Sequence, residues 1–144
     1  MRYLSILTLL VIVLTTTLTP ARAKAGLWPV EVFDVMDNQR IVVFLRDGDI
    51  AASPKWQPAE GGPPLTIAGA LEHVRQWIAE DPRLMGAEIY EIELKPIHGH
   101  EQEHRWYYLM QLRAVKDGKR KAFYAAVLLN GKVVPAIAEP AAIK

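Results

Sequence analysis

Residues 105–137 read RWYYLMQLRAVKDGKRKAFYAAVLLNGKVVPAI, and they contain three apolar segments separated by two short polar turns. The apolar segments are rich in β-branched and aromatic residues, a composition that favours strands. The two turns contain Asp117-Gly118 and Asn130-Gly131, pairs that are typical of tight connections between antiparallel strands. The region therefore predicts three consecutive strands joined as two hairpins.

The order of residue types also predicts where each strand lies in a sheet. Residues 121–129 are almost continuously apolar, which indicates a central strand covered on both faces. Pro135 favours an edge position for the last strand, because proline cannot donate a hydrogen bond to a neighbour. Upstream, residues 88–95 (EIYEIELK) alternate apolar and charged side chains, as in a strand with one buried face. Together these segments predict a four-strand antiparallel meander.

A single amphipathic helix is predicted before the meander, over residues 66–80. Its apolar residues recur at helical spacing, and they share one face: Ile67, Ala70, Leu71, Val74, Trp77 and Ile78. Thr66 is a suitable N-cap, and Pro82 favours an end of the helix near Asp81.

The part of the chain before the helix predicts a hairpin followed by a loop. Residues 30–35 (VEVFDV) and 41–46 (IVVFLR) have strand composition and flank a polar turn. Residues 53–64 contain four prolines and two glycines, which predicts an irregular loop in which Trp56 folds back on the body. The predicted fold class is α+β, with one amphipathic helix packed on an antiparallel β-meander and an additional N-terminal β-hairpin.

The order of helix, strands and a terminal Asn-Gly-Lys-Val turn over residues 65–137 resembles the PepSY-like and cystatin-like small periplasmic domains. PepSY domains tend to have an acidic residue and a Thr-Gly turn before the last strand, whereas this chain has Leu128-Leu129-Asn130-Gly131. The resemblance implies a domain that binds or restrains a partner, such as a peptidase of the cell envelope. It does not imply catalysis, and it assigns no functional residue.

Residues 1–23 predict a secretory signal peptide, because Arg2 precedes a short apolar centre and an Ala-Arg-Ala end. The apolar run of about 11 residues is too short for a transmembrane helix, which needs roughly 20. We expect cleavage after Ala23, with Ala25 as the alternative. Residues 24–144 would then form a single periplasmic or secreted domain, without a transmembrane segment.

Charge and cysteine content restrict the function classes. The chain has 17 Lys and Arg, 16 Asp and Glu, and no cysteine. Cleavage after Ala23 removes Arg2 and Arg22, so that the net charge changes from +1 to −1, which does not favour a nucleic-acid partner. Without cysteine the chain has no disulfide, no thiol nucleophile and no lipid anchor on an N-terminal cysteine.

Residues 98–104 (HGHEQEH) match the H-E-x-x-H pattern of zinc peptidases. In those enzymes the pattern lies on a helix, which places both histidines on one face. Here a strand ends just before it and another begins at Trp106, so we interpret it as a polar loop. An alternative is that His98 and His100, with His104 or a loop carboxylate, bind Zn²⁺, Cu²⁺ or Ni²⁺.

No segment of the sequence predicts a catalytic residue or a cofactor site. Ser53 precedes a proline in a loop and lacks the turn around a hydrolase serine. We therefore expect an exported, non-enzymatic domain that binds or inhibits a protein or peptide partner of the cell envelope. The alternative is a small-ligand or metal-binding protein that uses the histidine-containing loop.

Overall fold

The computed structural model describes residues 30–139 of the chain. Its strands are β1 (Val30–Met36), β2 (Gln39–Leu45), β3 (Glu88–Pro96), β4 (Trp106–Lys116), β5 (Lys119–Leu128) and β6 (Val133–Ala138). Its α-helices are α1 (Asp47–Ala52) and α2 (Ile67–Glu80), and 3₁₀ turns occur at Pro58–Glu60, Pro82–Leu84 and Glu101–Glu103. The predicted signal peptide and its cleavage site at Ala23 lie outside the described residues.

All six strands belong to one antiparallel sheet with the order β1-β2-β6-β5-β4-β3. The two edge strands are therefore β1 and β3, at opposite ends of the sheet. Even so, Nζ of Lys95 on β3 lies 2.5 Å from Oδ1 of Asp34 on β1. The sheet must curl until its two edges face each other, and it has the shape of an open half-barrel.

The predicted fold class, a helix packed on a meander with an additional hairpin, is wrong. The N-terminal hairpin is an integral part of the sheet, because β2 pairs with β6 from Ile41↔Ala138 to Val43↔Ala136. Strands dominate the described residues, and only α2 is a helix of more than two turns. The curled sheet covers its own inner face, and α2 covers the outer face.

The predicted edge position of the last strand is also wrong, since β6 lies between β2 and β5. Pro135 is tolerated there because β6 divides its pairing between its two neighbours. Its residues 133–136 pair with β5, and residues 136–138 pair with β2. Pro135 precedes the first pair with β2, so its missing N–H removes no hydrogen bond on that side.

Both faces of β4 are buried. Residues 107–112 are each at most 1 % exposed. Tyr107 and Leu109 belong to an inner core with residues of β1, β2 and β5, which Ile50 of α1 extends. Tyr108 and Met110 belong to an outer core beneath α2. Alternate side chains of β4 therefore belong to two separate hydrophobic cores.

Local signals in the sequence are mostly confirmed. The hairpin turns at Asp37-Asn38 and Asp117-Gly118 have positive φ at both central residues, as type I′ turns require. Thr66 caps α2 by accepting a hydrogen bond from the Gly69 N–H at 3.1 Å. Trp56 folds back as predicted, is 7 % exposed and meets Trp106 edge to face.

The turn after β5 depends on Gly131, which has φ of +89°. A Cβ at this position would lie within 3.0 Å of three ring atoms of His73 on α2. We predict that Gly131→Ala lowers the free energy of unfolding by about 1–2 kcal/mol, because a side chain is strained in this conformation and also meets the imidazole. Urea unfolding would measure the change.

Gly118 supplies the matched control for this prediction. It has φ of +72°, and a Cβ added there would meet no atom within 4 Å. Gly118→Ala therefore reports the backbone strain alone, and we expect a smaller loss than at Gly131. Adding His73→Ala to Gly131→Ala should reduce that loss to the Gly118 value. Equal stabilities for wild type and Gly131→Ala would contradict the close approach.

Candidate functional site

The histidine-containing stretch lies in the loop between β3 and β4, as the sequence predicts. Glu101–Glu103 form a single 3₁₀ turn, and His104 follows in the left-handed conformation with φ of 56°. His100 and His104 therefore do not lie one turn apart on an α-helix. The segment lacks the geometry with which H-E-x-x-H binds zinc.

The alternative metal site depended on an extended chain that would point His98 and His100 the same way. Gly99 has φ of +81° and interrupts that extension. His98 Nδ1 lies 3.1 Å from Glu101, and His100 Nδ1 lies 2.9 Å from Glu103, so the two rings belong to separate pairs. Within residues 30–139, no three His, Asp or Glu side chains lie close enough together to bind one metal ion.

We expect the purified domain, residues 24–144 without a histidine tag, to retain no stoichiometric Zn²⁺, Cu²⁺ or Ni²⁺ after dialysis. The reason is that separate histidine–glutamate pairs do not converge on one ion. Elemental analysis measures this directly. About one ion per chain, lost when His98 and His100 are both changed to Ala, would contradict the expectation.

A polar cluster inside the curled sheet connects its two edges. Tyr107 on β4 donates a hydrogen bond to Asp34 Oδ2 at 2.7 Å, and Lys95 Nζ donates to Asp34 Oδ1. Lys95 also donates to the Val35 carbonyl at 3.0 Å, and it pairs with Glu93 at 2.8 Å. We call Asp34, Lys95 and Tyr107 the Asp34 cluster.

A second polar group lies nearby on the same inner face. Gln111, which is fully buried, donates to Asp37 at 3.0 Å and to the Tyr124 hydroxyl at 3.1 Å. Arg113 donates to the same Asp37 oxygen at 3.2 Å. The turn between β1 and β2 is therefore bound to β4 across the inner face, and the buried amide has partners.

The Asp34 cluster alters the protonation of its members. Burial raises the pKa of Asp34, but the hydrogen bonds from Lys95, Tyr107 and the Val35 N–H outweigh burial and hold that pKa below 3.8. For Lys95, burial lowers the pKa, and the bonds to Asp34 and Glu93 raise it above 10.5. Burial, followed by the bond to Asp34, raises the pKa of Tyr107. The cluster is therefore a charged pair with a neutral phenol at neutral pH.

Asp34→Asn should lower the free energy of unfolding at pH 7 by about 1–3 kcal/mol, because Lys95 loses one of its two carboxylate partners and keeps only Glu93. A carboxyl whose folded pKa is depressed contributes stability above its unfolded pKa of 3.8 and loses it as the pH falls through the folded value. The difference between wild type and variant should therefore shrink below about pH 4.

Urea unfolding between about pH 3 and pH 7 measures this pH dependence. Asp117→Asn is the control, because Asp117 lies in an exposed hairpin turn. We expect it to unfold like the wild type throughout. A loss at Asp34→Asn that stays the same at every pH would show that the charge of Asp34 does not stabilise the fold.

An apolar gap lies between α2 and β3. Near the start of α2, Ile67 and Ala68 line a cavity of about 420 Å³ with Ile92 and Leu94 of β3. Tyr108 also lines this cavity, and its hydroxyl donates to the Leu65 carbonyl at 2.7 Å. The walls are almost entirely apolar, which is typical of sites that take up aliphatic side chains.

The gap continues along β3 toward Ala87. A second cavity, of about 400 Å³, is lined by Leu71 and Ile78 of α2 and by Ile89 of β3, and the charged residues Arg75 and Glu88 also line it. Early residues of α2 lie beside Leu94 and later ones lie beside Ile89, so the helix and the strand run antiparallel. We call the whole gap the α2–β3 groove.

A bulge in β3 determines which side chains face this groove. The register with β4 shifts between Ile89 and Glu91. As a result Ile89, Ile92 and Leu94 all lie on the outer face with α2. Tyr90, which the alternation places with Ile92 and Leu94, is instead 59 % exposed, and the Arg113 guanidinium lies over its ring.

The groove adjoins a free strand edge. In the described part of the chain β3 pairs only with β4, and no backbone hydrogen bond joins its other edge to another strand. The Lys95 side chain approaches β1 at one end of that edge. The remaining edge presents unpaired N–H and C=O groups, which an extended chain can pair with.

The comparisons with known proteins assign no family. No family model, no curated protein and no solved structure matches the chain. The resemblance to PepSY-like and cystatin-like domains therefore stays a prediction. Neither helix described in residues 30–139 has the length and apolar character needed to cross a bilayer.

Sequence reasoning missed the groove and both polar groups. Gln111 carried a usable signal, because it is a polar residue at a buried position of an otherwise apolar strand. Asp34 carried none, since one aspartate in a predicted hairpin is ordinary. The groove requires the side-by-side placement of α2 and β3, which no local pattern encodes.

Proposed function

We propose that this chain is an exported, non-catalytic binding domain that takes up an extended segment of a protein or peptide partner. The segment lies along the free edge of β3 and inserts alternate side chains into the α2–β3 groove. Its backbone adds a strand to the sheet beside Glu88–Leu94. Export rests on the sequence of residues 1–23, which is typical of a signal peptide.

The observation that carries the proposal is the free β3 edge beside an apolar groove. Strand addition needs unpaired backbone groups for affinity and pockets for alternate side chains for specificity. Ile92 and Leu94 are two residues apart on the outer face, and they line the same cavity. Alternate side chains of a docked strand are also two residues apart, so their spacing matches that of Ile92 and Leu94.

Partly exposed apolar side chains along the groove support the same proposal. Ile67 at its rim is 54 % exposed, which is high for an aliphatic residue on the apolar face of a helix. Leu71, Ile78, Ile89 and Leu94 are all only half-buried. Apolar side chains that remain partly exposed along one groove are typical of surfaces that a partner covers.

The test begins with selection from a phage-displayed library of short random peptides against residues 24–144. We predict that Ile67→Glu weakens binding of the selected peptides by roughly tenfold or more, because a buried aliphatic contact is worth about 1.5 kcal/mol or more. Fluorescence anisotropy with labelled peptide measures the dissociation constant. Amide NMR shifts on peptide addition should concentrate in β3 and α2.

Ile137→Glu is the matched control. Ile137 is 58 % exposed and lies on β6, which β5 and β4 separate from β3. The same substitution at similar exposure should leave peptide binding unchanged, and melting curves confirm that both variants fold. An equal loss of peptide affinity in both variants would refute docking in the groove. Amide chemical-shift changes that do not include β3 would refute it as well.

A further inference from the structure

The charges of β3 indicate what kind of segment docks there. Glu91, Glu93 and Lys95 pair with Gln111, Leu109 and Tyr107 of β4. Because Leu109 and Tyr107 belong to the inner core, these three charged side chains lie on the inner face. The apolar residues of β3 face the groove on the opposite side, so β3 presents an acidic face and an apolar face.

Two of the positive charges near that acidic face, Lys95 and Arg113, are already engaged, whereas Arg120 lines a cavity at the Glu88 end of the strand and forms no ion pair among the described residues. Lys95 lies between Asp34 at 2.5 Å and Glu93 at 2.8 Å. Arg113 pairs with Asp37 at 3.2 Å. Among the described residues Glu91 forms no ion pair, and it lies at the middle of the free edge. Glu91 is therefore the carboxylate at the middle of this edge that a basic residue of a partner can neutralise.

A second copy of the chain fits this edge poorly. Two copies of β3 related by a two-fold axis must pair antiparallel, with residues of like face opposite each other. A register centred on Glu91 or on Glu93 places that glutamate opposite itself. One centred on Ile92 places Glu91 opposite Glu93. Each of these three registers brings like charges together, which destabilises pairing of two copies about the middle of the edge. A register centred on Leu94 would place Glu93 opposite Lys95, but Lys95 is already bound to Asp34.

We infer that the docked segment belongs to a different polypeptide and alternates basic with aliphatic residues. This inference rests on the proposed function and specifies its partner. Residues directly opposite each other in a sheet share a face. Partner residues opposite Ile92 and Leu94 therefore enter the groove and are aliphatic. Partner residues opposite Glu91 and Glu93 point to the inner side and are lysine or arginine.

The test uses three synthetic peptides and residues 24–144. The first alternates lysine with valine, the second replaces each lysine by glutamate, and the third keeps the first composition with its valines contiguous. We expect the first peptide to bind most tightly and to change the amide chemical shifts of β3 residues. Its advantage over the second should shrink at high salt, because the charges are near the surface.

Glu91→Lys supplies the decisive variant. We expect it to weaken binding of the lysine peptide by roughly fivefold to tenfold and to strengthen binding of the glutamate peptide, because the cross-strand charge pair is reversed. Glu91→Gln removes the charge without adding one, and it should give an intermediate loss. Melting curves establish that both variants fold.

The outcomes separate this inference from the proposed function. If library-selected peptides bind at β3 but lack basic residues, or if Glu91→Lys leaves the charge preference unchanged, the partner class is wrong while the groove remains a docking site. If no peptide binds, both are wrong, and the charges of β3 only protect an edge. A concentration-dependent dimer that Ile67→Glu abolishes would show that a second copy occupies the edge and would overturn the inference.

Discussion

The fold depends on the burial of both faces of β4. Residues 107–112 are apolar or aromatic except for Gln111, and all of them are shielded from water. A single sheet with one helix can cover only one face of such a strand. The second face is covered because the sheet curls, which brings β1 and β2 across the inner side. The curl then requires polar contacts where the edges meet, and Asp34, Lys95 and Tyr107 supply them.

The same constraint explains how far the sequence predicts the structure. Local signals give the correct strands, the long helix α2 and three hairpin turns, because they depend on residues close in the chain, although they miss the short helix α1. The error lies in the assembly. Tyr107 and Leu109 lie on the inner face of β4, and nothing local shows that β1 and β2 cover them. The edge position predicted from Pro135 was wrong for a related reason. The effect of this proline depends on where the pairing of β6 with β2 begins.

The candidate site is harder to predict than the fold, because two elements form it and each is ordinary alone. In α2 the residues Leu71 and Ile78 fit a core-facing stripe, yet both remain half-exposed beside β3. The bulge at Tyr90 matters as well, since it puts Ile89 on the groove side, where strict alternation excludes it. The histidine-containing loop shows the opposite case, in which a conspicuous motif lacks the helix that gives it meaning.

The two edges of the sheet differ in a way that bears on binding. The Asp34 cluster holds β1 against the Lys95 end of β3, so that end of the edge is covered. It leaves Glu88–Leu94 open, and this is also the part of β3 that borders the groove. Closing the half-barrel completely would bury the backbone groups that a partner strand needs. A side-chain bridge at one end stabilises the curl without using those groups, and so the stability of the sheet is compatible with the strand addition that we propose.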